Sequence, residues 1–448
     1  VALRAHGGPP SAPRACHSAA PFENLPSFCC AVCPQLCCLL NLLNHLVRVL
    51  RTQTEEGTQP GAPDVDTMSV ALFDCTSAYD TTTAEYSAVV REEAARATRT
   101  VYASVFFGEN YLACGSSSGS LSVFNLDDVL REQRGSGGGT SSPDPSPRPS
   151  LVVPDAHRGA VYSVIAFTLQ GSEMLCSAGE DGRSVLWRAS DLIAAANAKA
   201  TRSERTVAVT PAGEFKNPQE SKARGALGPV PETTALAVDP TRGTLLSAAG
   251  DGVCYGWDLG EGRDAPAMRL RGHNDLLHCV AARVGANQAV TGSEDGTARI
   301  HDLRSETCSH VIDVWRAKEG KSGGHGSGAW VGCVALDKAE NWAAMGCGGG
   351  CITMWSFAAG ACASRVPTAA PPQALRLTGQ HVMAAGAEPA VYRWNLAGEQ
   401  ISRQPCTPKS VFTLDLQPQR KIHAVGGTSG SVDIFSELGT RVTTLRCL

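Results

Sequence analysis

Ser, His and Asp side chains, the residue types of a hydrolase triad, occur close together in this 448-residue chain. His157 is followed by Ser177 and Asp181, so a serine nucleophile, a histidine base and an orienting aspartate are all present. Related sets return further along the chain, each with the hydroxyl residue four positions before the aspartate: Ser247 with Asp251, and His273 with Thr291 and Asp295. A catalytic triad has no reason to recur at fixed spacing, whereas a network that braces each unit of a repeat fold does. We therefore expect these side chains to be structural.

The spacing belongs to a pattern that occurs seven times. Each occurrence ends in an aromatic residue or a histidine after alternating apolar residues: Phe124, Trp187, Trp257, His301, Trp355, Trp394 and Phe435. A turn residue stands six positions earlier: Ser118, Asp181, Asp251, Asp295, Gly349, Glu388 and Ser429. The residue after it is Gly except for Pro389 in the sixth: Gly119, Gly182, Gly252, Gly296, Gly350 and Gly430. Because a tight hairpin needs positive φ at one residue, each segment predicts two strands joined by a turn.

The bracing set is complete in only one segment. The second segment has all of its members, in the order His157, Ser177, Asp181 and Trp187. The third and fourth segments hold partial sets: Ser247, Asp251 and Trp257 without a loop histidine, and His273, Thr291 and Asp295 with His301 in place of Trp. We expect hydrogen bonds to link the members within each segment.

A segment of this kind resembles the WD repeat, which predicts an all-β, seven-bladed WD-repeat β-propeller over residues 99–448. The segment ends are 63, 70, 44, 54, 39 and 41 residues apart, against a period of about 40–45, so the excess marks insertions. Gly/Ser/Pro-rich residues at about 132–150 predict a disordered loop, and Lys318–Gly328 a further loop. Within Asp191–Pro231 we expect an outer strand at Thr206–Val209, and Thr440–Arg446 should supply the outer strand of the last blade.

Residues 1–67 differ in composition from the rest of the chain. No Met precedes Met68, and Phe28–Leu50 is apolar and rich in cysteine. A membrane or targeting segment is one reading, although polar residues interrupt the run. A zinc site at Cys30 and Cys33 is another, although a second ligand pair at suitable spacing is missing. We expect the third, a non-native or disordered leader, with Met68 as the initiator. Residues 68–98 should carry a short lead-in helix that opens with a capping box, Thr82-x-x-Glu85.

Charge argues against autonomous nucleic-acid binding. The chain has 39 Lys and Arg against 43 Asp and Glu, a net charge of −4, so it has no basic excess to neutralise phosphates. From Cys75 onward the cysteines lie singly in apolar runs, which predicts buried, reduced thiols. No spacing indicates a cofactor, a metal site or an enzyme.

Several stretches resemble the sixth, WD-repeat subunit of the THO complex. The closest are Leu270-Arg-Gly-His273-Asn-Asp275, Thr291-Gly-Ser-Glu-Asp295-Gly, Asp302-Leu-Arg304 and Trp330-Val-Gly-Cys333, and the likeness runs from about Thr83 to the C-terminus. The long insertion before Leu151, His301 and the leader depart from that family. The resemblance implies a nuclear scaffold in transcription-coupled mRNA packaging and export, which contacts other THO subunits rather than RNA.

A different WD-repeat adaptor stays open as an alternative, such as a substrate receptor of a ubiquitin ligase or a histone-peptide reader. A peptide reader presents charged or aromatic residues at the mouth of its central channel.

We expect partner contacts in the loops at these positions: Arg158, Asn274, Asp275, Glu294 and Trp330. Self-association within a larger assembly is also possible for such a scaffold, and we expect no membrane contact.

Overall fold

Seven four-stranded antiparallel sheets make up the computed structural model, which describes residues 98–135, 147–198, 207–219, 228–260, 265–314, 330–379 and 381–447. Every sheet takes its strands in chain order, and the first strands of successive sheets contact one another around a closed ring. The predicted seven-bladed β-propeller is therefore confirmed. The leader, the capping-box helix and the loop at 318–328 lie outside the described residues.

The strands are numbered in chain order, and each blade holds a consecutive set. Blade 1 comprises β1 Val101–Phe107, β2 Tyr111–Ser116, β3 Leu121–Asn125 and β4 Leu151–Val153, and blade 2 comprises β5 Val161–Leu169, β6 Ser172–Gly179, β7 Arg183–Arg188 and β8 Gly213–Lys216. Blade 3 comprises β9 Thr233–Asp239, β10 Thr244–Ala249, β11 Cys254–Asp258 and β12 Met268–Leu270, and blade 4 comprises β13 Leu277–Arg283, β14 Gln288–Ser293, β15 Thr297–Asp302 and β16 Thr307–Asp313. Blade 5 comprises β17 Val331–Leu336, β18 Trp342–Cys347, β19 Cys351–Ser356 and β20 Ala361–Pro367. Blade 6 comprises β21 Pro372–Leu377, β22 His381–Gly386, β23 Glu388–Asn395 and β24 Gln400–Pro405, and blade 7 comprises β25 Val411–Gln417, β26 Ile422–Gly427, β27 Ser431–Ser436 and β28 Arg441–Arg446. Two helices, α1 Leu126–Gly135 and α2 Ala189–Asn197, and a 3-10 turn, Val284–Ala286, complete the described elements.

The core lies between blades rather than inside any one of them. Middle strands such as β2 and β10 are buried along their whole length, because both faces of a blade are covered by neighbours. One cluster joins Leu121 and Leu151 of blade 1 to Leu175 and Trp187 of blade 2. Further clusters join blade 2 to blade 3 and blade 7 to blade 1. Alternating apolar residues thus form strands whose two faces both find partners.

The hairpin glycines adopt the predicted backbone conformation. The φ angles of the six glycines lie between +64° and +81°. At Gly119 a Cβ atom would also lie 2.3 Å from the carbonyl oxygen of His157, which belongs to the loop leading into blade 2. Glycine is therefore required there both by the turn and by the close approach of that loop.

The prediction of the outer strand of blade 2 at Thr206–Val209 is wrong. That strand is Gly213–Lys216, where the buried Phe215 ring packs 5.4 Å from the Trp257 ring of blade 3. Val207 instead donates its N–H to the Val152 carbonyl of blade 1 at 3.2 Å. The alternation that suggested a strand comes from valines that pack against the core between blades 1 and 2.

The insertion after the third strand of blade 1 begins with a helix rather than with a loop. Helix α1 covers the first residues of the predicted disordered stretch at 132–150, and Asn125 caps it, because its Oδ1 accepts the Asp127 N–H at 3.0 Å. At the C-terminal end of the insertion, the Ser150 N–H donates to the Val123 carbonyl of β3 at 2.8 Å. Residues 136–146 between them lie outside the described part of the chain.

The ring closes without a sheet shared by the two ends of the propeller. As predicted, Arg441–Arg446 supplies the outer strand of blade 7, so blades 7 and 1 meet face to face. Thr413 Oγ1 accepts the Ser104 N–H at 2.9 Å, and Asp415 Oδ2 accepts the Phe106 N–H at 2.9 Å. Asp415 also pairs with Arg376 of blade 6 at 3.1 Å. One carboxylate therefore ties three blades together at the closing seam.

We expect Asp415→Ala to weaken the seam, since it removes the acceptor of the Phe106 N–H and the carboxylate partner of the Arg376 guanidinium. The expected loss of unfolding free energy is about 1–3 kcal/mol, with faster hydrogen exchange in β1 and β25. Denaturant unfolding and exchange mass spectrometry measure both. Glu437→Ala removes an exposed carboxylate from the same blade and should leave both unchanged. Equal stability of the two variants would contradict this account of ring closure.

Candidate functional site

The complete bracing set forms the expected network in blade 2. His157 Nδ1 lies 3.0 Å from Asp181 Oδ1, and its Nε2 lies 2.8 Å from Ser177 Oγ. Trp187 donates its indole N–H to the same Ser177 oxygen at 3.0 Å. Asp181 also accepts the backbone N–H groups of Arg158 at 2.9 Å and Arg183 at 3.1 Å. The loop before the blade, two strands and the hairpin turn are thereby joined.

The donors and acceptors of this network assign one proton arrangement. An indole N–H can only donate, so Ser177 accepts from Trp187 and gives its own proton to His157 Nε2. The remaining proton of His157 is then on Nδ1 and points to Asp181. Burial by itself would raise the pKa of Asp181, but the hydrogen bonds from His157 and from the backbone lower it overall.

The hydroxyl of Ser177 has no access to a substrate. Ser177 is fully buried and His157 is 2% exposed, and the serine oxygen is already engaged on two sides. A nucleophile needs an open path to a reacting carbonyl, and this one has none. The arrangement of Ser, His and Asp therefore holds the blade together and cannot act as a hydrolase triad.

Blade 3 builds its brace around a residue that sequence reasoning missed. Trp257 donates to Ser247 Oγ at 2.9 Å as predicted, and Ser247 donates in turn to Asn217 Oδ1 at 3.4 Å. The Asn217 N–H bonds to the Gly182 carbonyl, just as the His157 N–H bonds to that of Gly119, so Asn217 takes the place of the loop histidine. The signal was hidden because Asn217 lies in an insertion and is of a different residue type.

The turn aspartate of blade 3 is separate from this brace. Asp251 accepts the Tyr255 hydroxyl at 2.5 Å and the Val253 N–H at 3.1 Å. The expectation that it would join Ser247 and Trp257 is therefore wrong. With no histidine in the preceding loop, the carboxylate turns to a tyrosine on its own hairpin.

Blade 4 repeats the brace without its tryptophan. His273 lies 2.9 Å from Asp295 Oδ2 and 2.8 Å from Thr291 Oγ1. Hydrogen bonds from His273 and Thr297 lower the pKa of Asp295, although burial opposes them. His301, which replaces the tryptophan, is 1% exposed, and neither ring nitrogen has a hydrogen-bond partner among the described residues. Burial, with the charges of His273 and Arg299, lowers the pKa of His301 to about 4.

Three of the predicted contact residues lie on the loops that the braces hold. Arg158 and Asn274 are exposed, and each gives its backbone N–H to the brace aspartate of its blade. Asp275 is exposed beside Asn274. Two of the predicted residues meet at His278: Glu294 lies 2.6 Å from its Nε2, and the Trp330 ring lies 5.5 Å from its ring.

Over the described ranges, no group of three or more His, Cys, Asp or Glu side chains could hold a metal ion. No helix in the same ranges is long and apolar enough to cross a membrane. The cysteines there are free thiols, most of them buried, and Cys347 stands directly opposite Cys351 across a hairpin rather than singly.

We expect His157→Ala to destabilise the protein, because Ser177 and Asp181 lose their buried partner. The expected cost is about 1–3 kcal/mol, seen as a lower melting temperature. Arg158→Glu is the matched control, since Asp181 accepts the backbone N–H of Arg158 and not its side chain. An unchanged melting temperature for His157→Ala would show that the brace does not support the blade.

His301 makes a pH-dependent contribution to stability. Its folded pKa of about 4 lies below its usual 6.5, so the unfolded chain takes up the proton first as the pH falls. Its contribution is fully present above about pH 6.5 and is lost towards pH 4, at about 1.4 kcal/mol per pKa unit. We expect His301→Phe to lose less stability than the wild type between pH 6.5 and 4 in denaturant titrations. His310→Phe, at an exposed histidine, should follow the wild type, and parallel curves for all three proteins would rule out this role of His301.

Comparison with known proteins agrees with this architecture. Residues 265–302, which contain the whole blade 4 brace, match the family described as WD domain, G-beta repeat. THO complex subunit 6 of Arabidopsis thaliana is 32% identical over 368 residues, covering 81% of this chain and 96% of that protein. THO complex subunit 6 of Homo sapiens is 29% identical over 75% of this chain and 89% of its own length, and the homolog of Danio rerio 28% identical over 75% and 93%. From repeat, fold and this extended similarity, the chain belongs to the THO complex subunit 6 family.

Proposed function

We propose that this protein is a non-catalytic scaffold subunit of a nuclear THO assembly, and that it supports transcription-coupled packaging and export of mRNA through protein contacts. The observation that carries the proposal is the extent of the similarity. It covers 96% of a protein named as a THO complex subunit, whereas the WD-repeat match alone covers residues 265–302. A single repeat indicates a fold, but similarity over 81% of this chain and 96% of the relative supports a shared role.

The use of polar side chains supports a scaffold role. The Ser177 and Thr291 hydroxyls, which could have acted as nucleophiles, are held in the braces of blades 2 and 4. Those braces fix loops such as the one that carries Arg158. A rigid ring with fixed loops is suited to holding several partners in a defined arrangement.

Blades 6 and 7 carry exposed apolar side chains that a partner subunit would bury. Leu438 is 94% exposed, Ile401 51% and Leu396 40%. Leu396 and Leu438 follow the third strands of adjacent blades, and Arg393 of blade 6 donates to the Glu437 carbonyl of blade 7 at 3.2 Å. Large exposed apolar side chains concentrated on neighbouring blades favour a protein contact there.

We expect the tagged full-length chain to recover the other THO subunits from RNase-treated nuclear extract. Ile401→Asp with Leu438→Asp should reduce their recovery at least fivefold, because two charges enter an apolar contact. Val311→Asp is the matched control, at a 56% exposed valine on blade 4, and should recover them normally. Quantitative mass spectrometry gives the readout.

Recovery of ubiquitin-ligase components without THO subunits would contradict the proposal and favour the alternative adaptor. Full recovery of THO subunits by the Ile401→Asp, Leu438→Asp variant would agree with membership of the assembly. It would contradict the proposed contact surface on blades 6 and 7 and place the contact with the other subunits on other blades.

A further inference from the structure

One end of the central channel is lined by equivalent residues of the inner strands. In all seven inner strands the first residue is buried and the second is half-buried. These second residues are Tyr102, Tyr162, Thr234, His278, Gly332, Gln373 and Phe412. Since the inner strands form the closed ring around the channel, these residues surround its mouth where the strands begin.

Three aromatic rings form a continuous sector of this mouth, which we call the aromatic sector. The Tyr102 ring of blade 1 lies 5.5 Å from Tyr162 of blade 2 and 5.2 Å from Phe412 of blade 7. Their planes are inclined by 69° and 59°, so the rings do not cover one another's faces by parallel stacking. Half-buried aromatic rings that meet around a channel provide a wall on which a flat group can stack.

A further aromatic ring borders the mouth at blade 5, where the channel position is a glycine, and Gln373 of blade 6 separates it from the aromatic sector. A Cβ atom on Gly332 would lie 2.2 Å from the Trp330 ring, so the indole lies directly over this glycine. The same indole contacts His278 of blade 4 at 5.5 Å. Trp330 thus occupies the space that a side chain of blade 5 would otherwise fill.

Carboxylates border the mouth at blades 2 to 4, and Glu180, Glu232 and Glu294 are called the acidic sector. Glu180 accepts the Ala160 N–H at 3.1 Å, two residues before Tyr162, so the two sectors adjoin. Glu294 lies 2.6 Å from His278 Nε2. Burial, together with repulsion from Glu180, raises the pKa of Glu232, while His278 opposes the rise. Glu180 and Glu232 are therefore close enough to repel each other, and Glu294 pairs with the channel residue His278.

We propose that this mouth binds a basic peptide segment of a partner protein by inserting one arginine between the aromatic and acidic sectors. A guanidinium is flat, cationic and weakly hydrated, so its face stacks on aromatic rings while its N–H groups donate to carboxylates. Negative potential at the mouth disfavours an acidic peptide or a nucleic acid as the occupant. This arrangement is the feature that the alternative interpretation as a peptide reader required, and it is compatible with membership of an assembly.

The test is selection of peptides from a random decapeptide display library on the full-length chain. We expect arginine to be enriched at least tenfold at one position. The best selected peptide should lose at least tenfold in affinity, measured by fluorescence anisotropy, when that arginine is replaced by citrulline, which is neutral, or by lysine, which is not flat.

Two double variants separate the contributions of the sectors. Tyr102→Leu with Phe412→Leu keeps apolar bulk but removes two rings, and Glu180→Gln with Glu232→Gln removes two charges. Each should weaken the selected peptide at least tenfold, with melting temperatures measured alongside to confirm folding. Glu399→Gln with Glu437→Gln, two exposed glutamates in turns of blades 6 and 7, is the matched charge control and should bind normally.

Absence of arginine enrichment, equal binding of the lysine peptide, or normal binding by either mouth variant would overturn the proposal. The outcome is independent of the proposed function, because peptide selection requires no THO subunit. Loss of THO recovery with intact arginine selection would overturn the assembly proposal alone.

Discussion

Each blade of this propeller has two apolar faces, and only a closed ring covers both. A four-stranded sheet cannot bury its own faces, so the core lies in the clusters between blades, such as the one that joins Leu175 of blade 2 to Leu121 of blade 1. Because every blade is built from consecutive strands, the last interface is closed by side chains and a single backbone bridge between Thr100 and Thr428 rather than by a shared sheet. Asp415 and Thr413 at this interface therefore affect the whole ring and not just one blade.

The braces solve a second problem, which is how to hold long connections against a compact ring. In blades 2 and 4 a histidine, a hydroxyl and an aspartate connect the incoming loop to the hairpin turn. Blade 3 reaches the same result with Asn217, so the position matters more than the residue type. His301 shows the cost of departing from the pattern, since a buried imidazole there has to remain neutral.

Fixed loops connect the stability of the ring to its surfaces. The brace aspartates hold the backbones of Arg158 and Asn274, and Glu180 precedes the aspartate of blade 2 directly. Aromatic and acidic groups at the channel mouth are therefore presented by parts of the chain that have little freedom. The exposed leucines of blades 6 and 7 lie in turns after the third strands. Separate surfaces on one rigid ring are what a scaffold with several partners needs.

The sequence by itself determined the number of blades, the ends of the third strands and the hairpin glycines. These features depend on neighbours a few residues apart, where a positive φ or an alternating apolar pattern leaves a local signal, and the braces of blades 2 and 4 kept that signal because their spacing recurs. Only the tertiary structure decided the outer strand of blade 2. That strand forms around Phe215, which packs on Trp257, and not at Val207 and Val209. It likewise decided the role of Asn217, the aromatic sector and the seam, in which Ser104 meets Thr413 across 309 residues. Contacts between residues so far apart in the chain produce no recurring spacing in the sequence, because only closure of the ring brings these residues together.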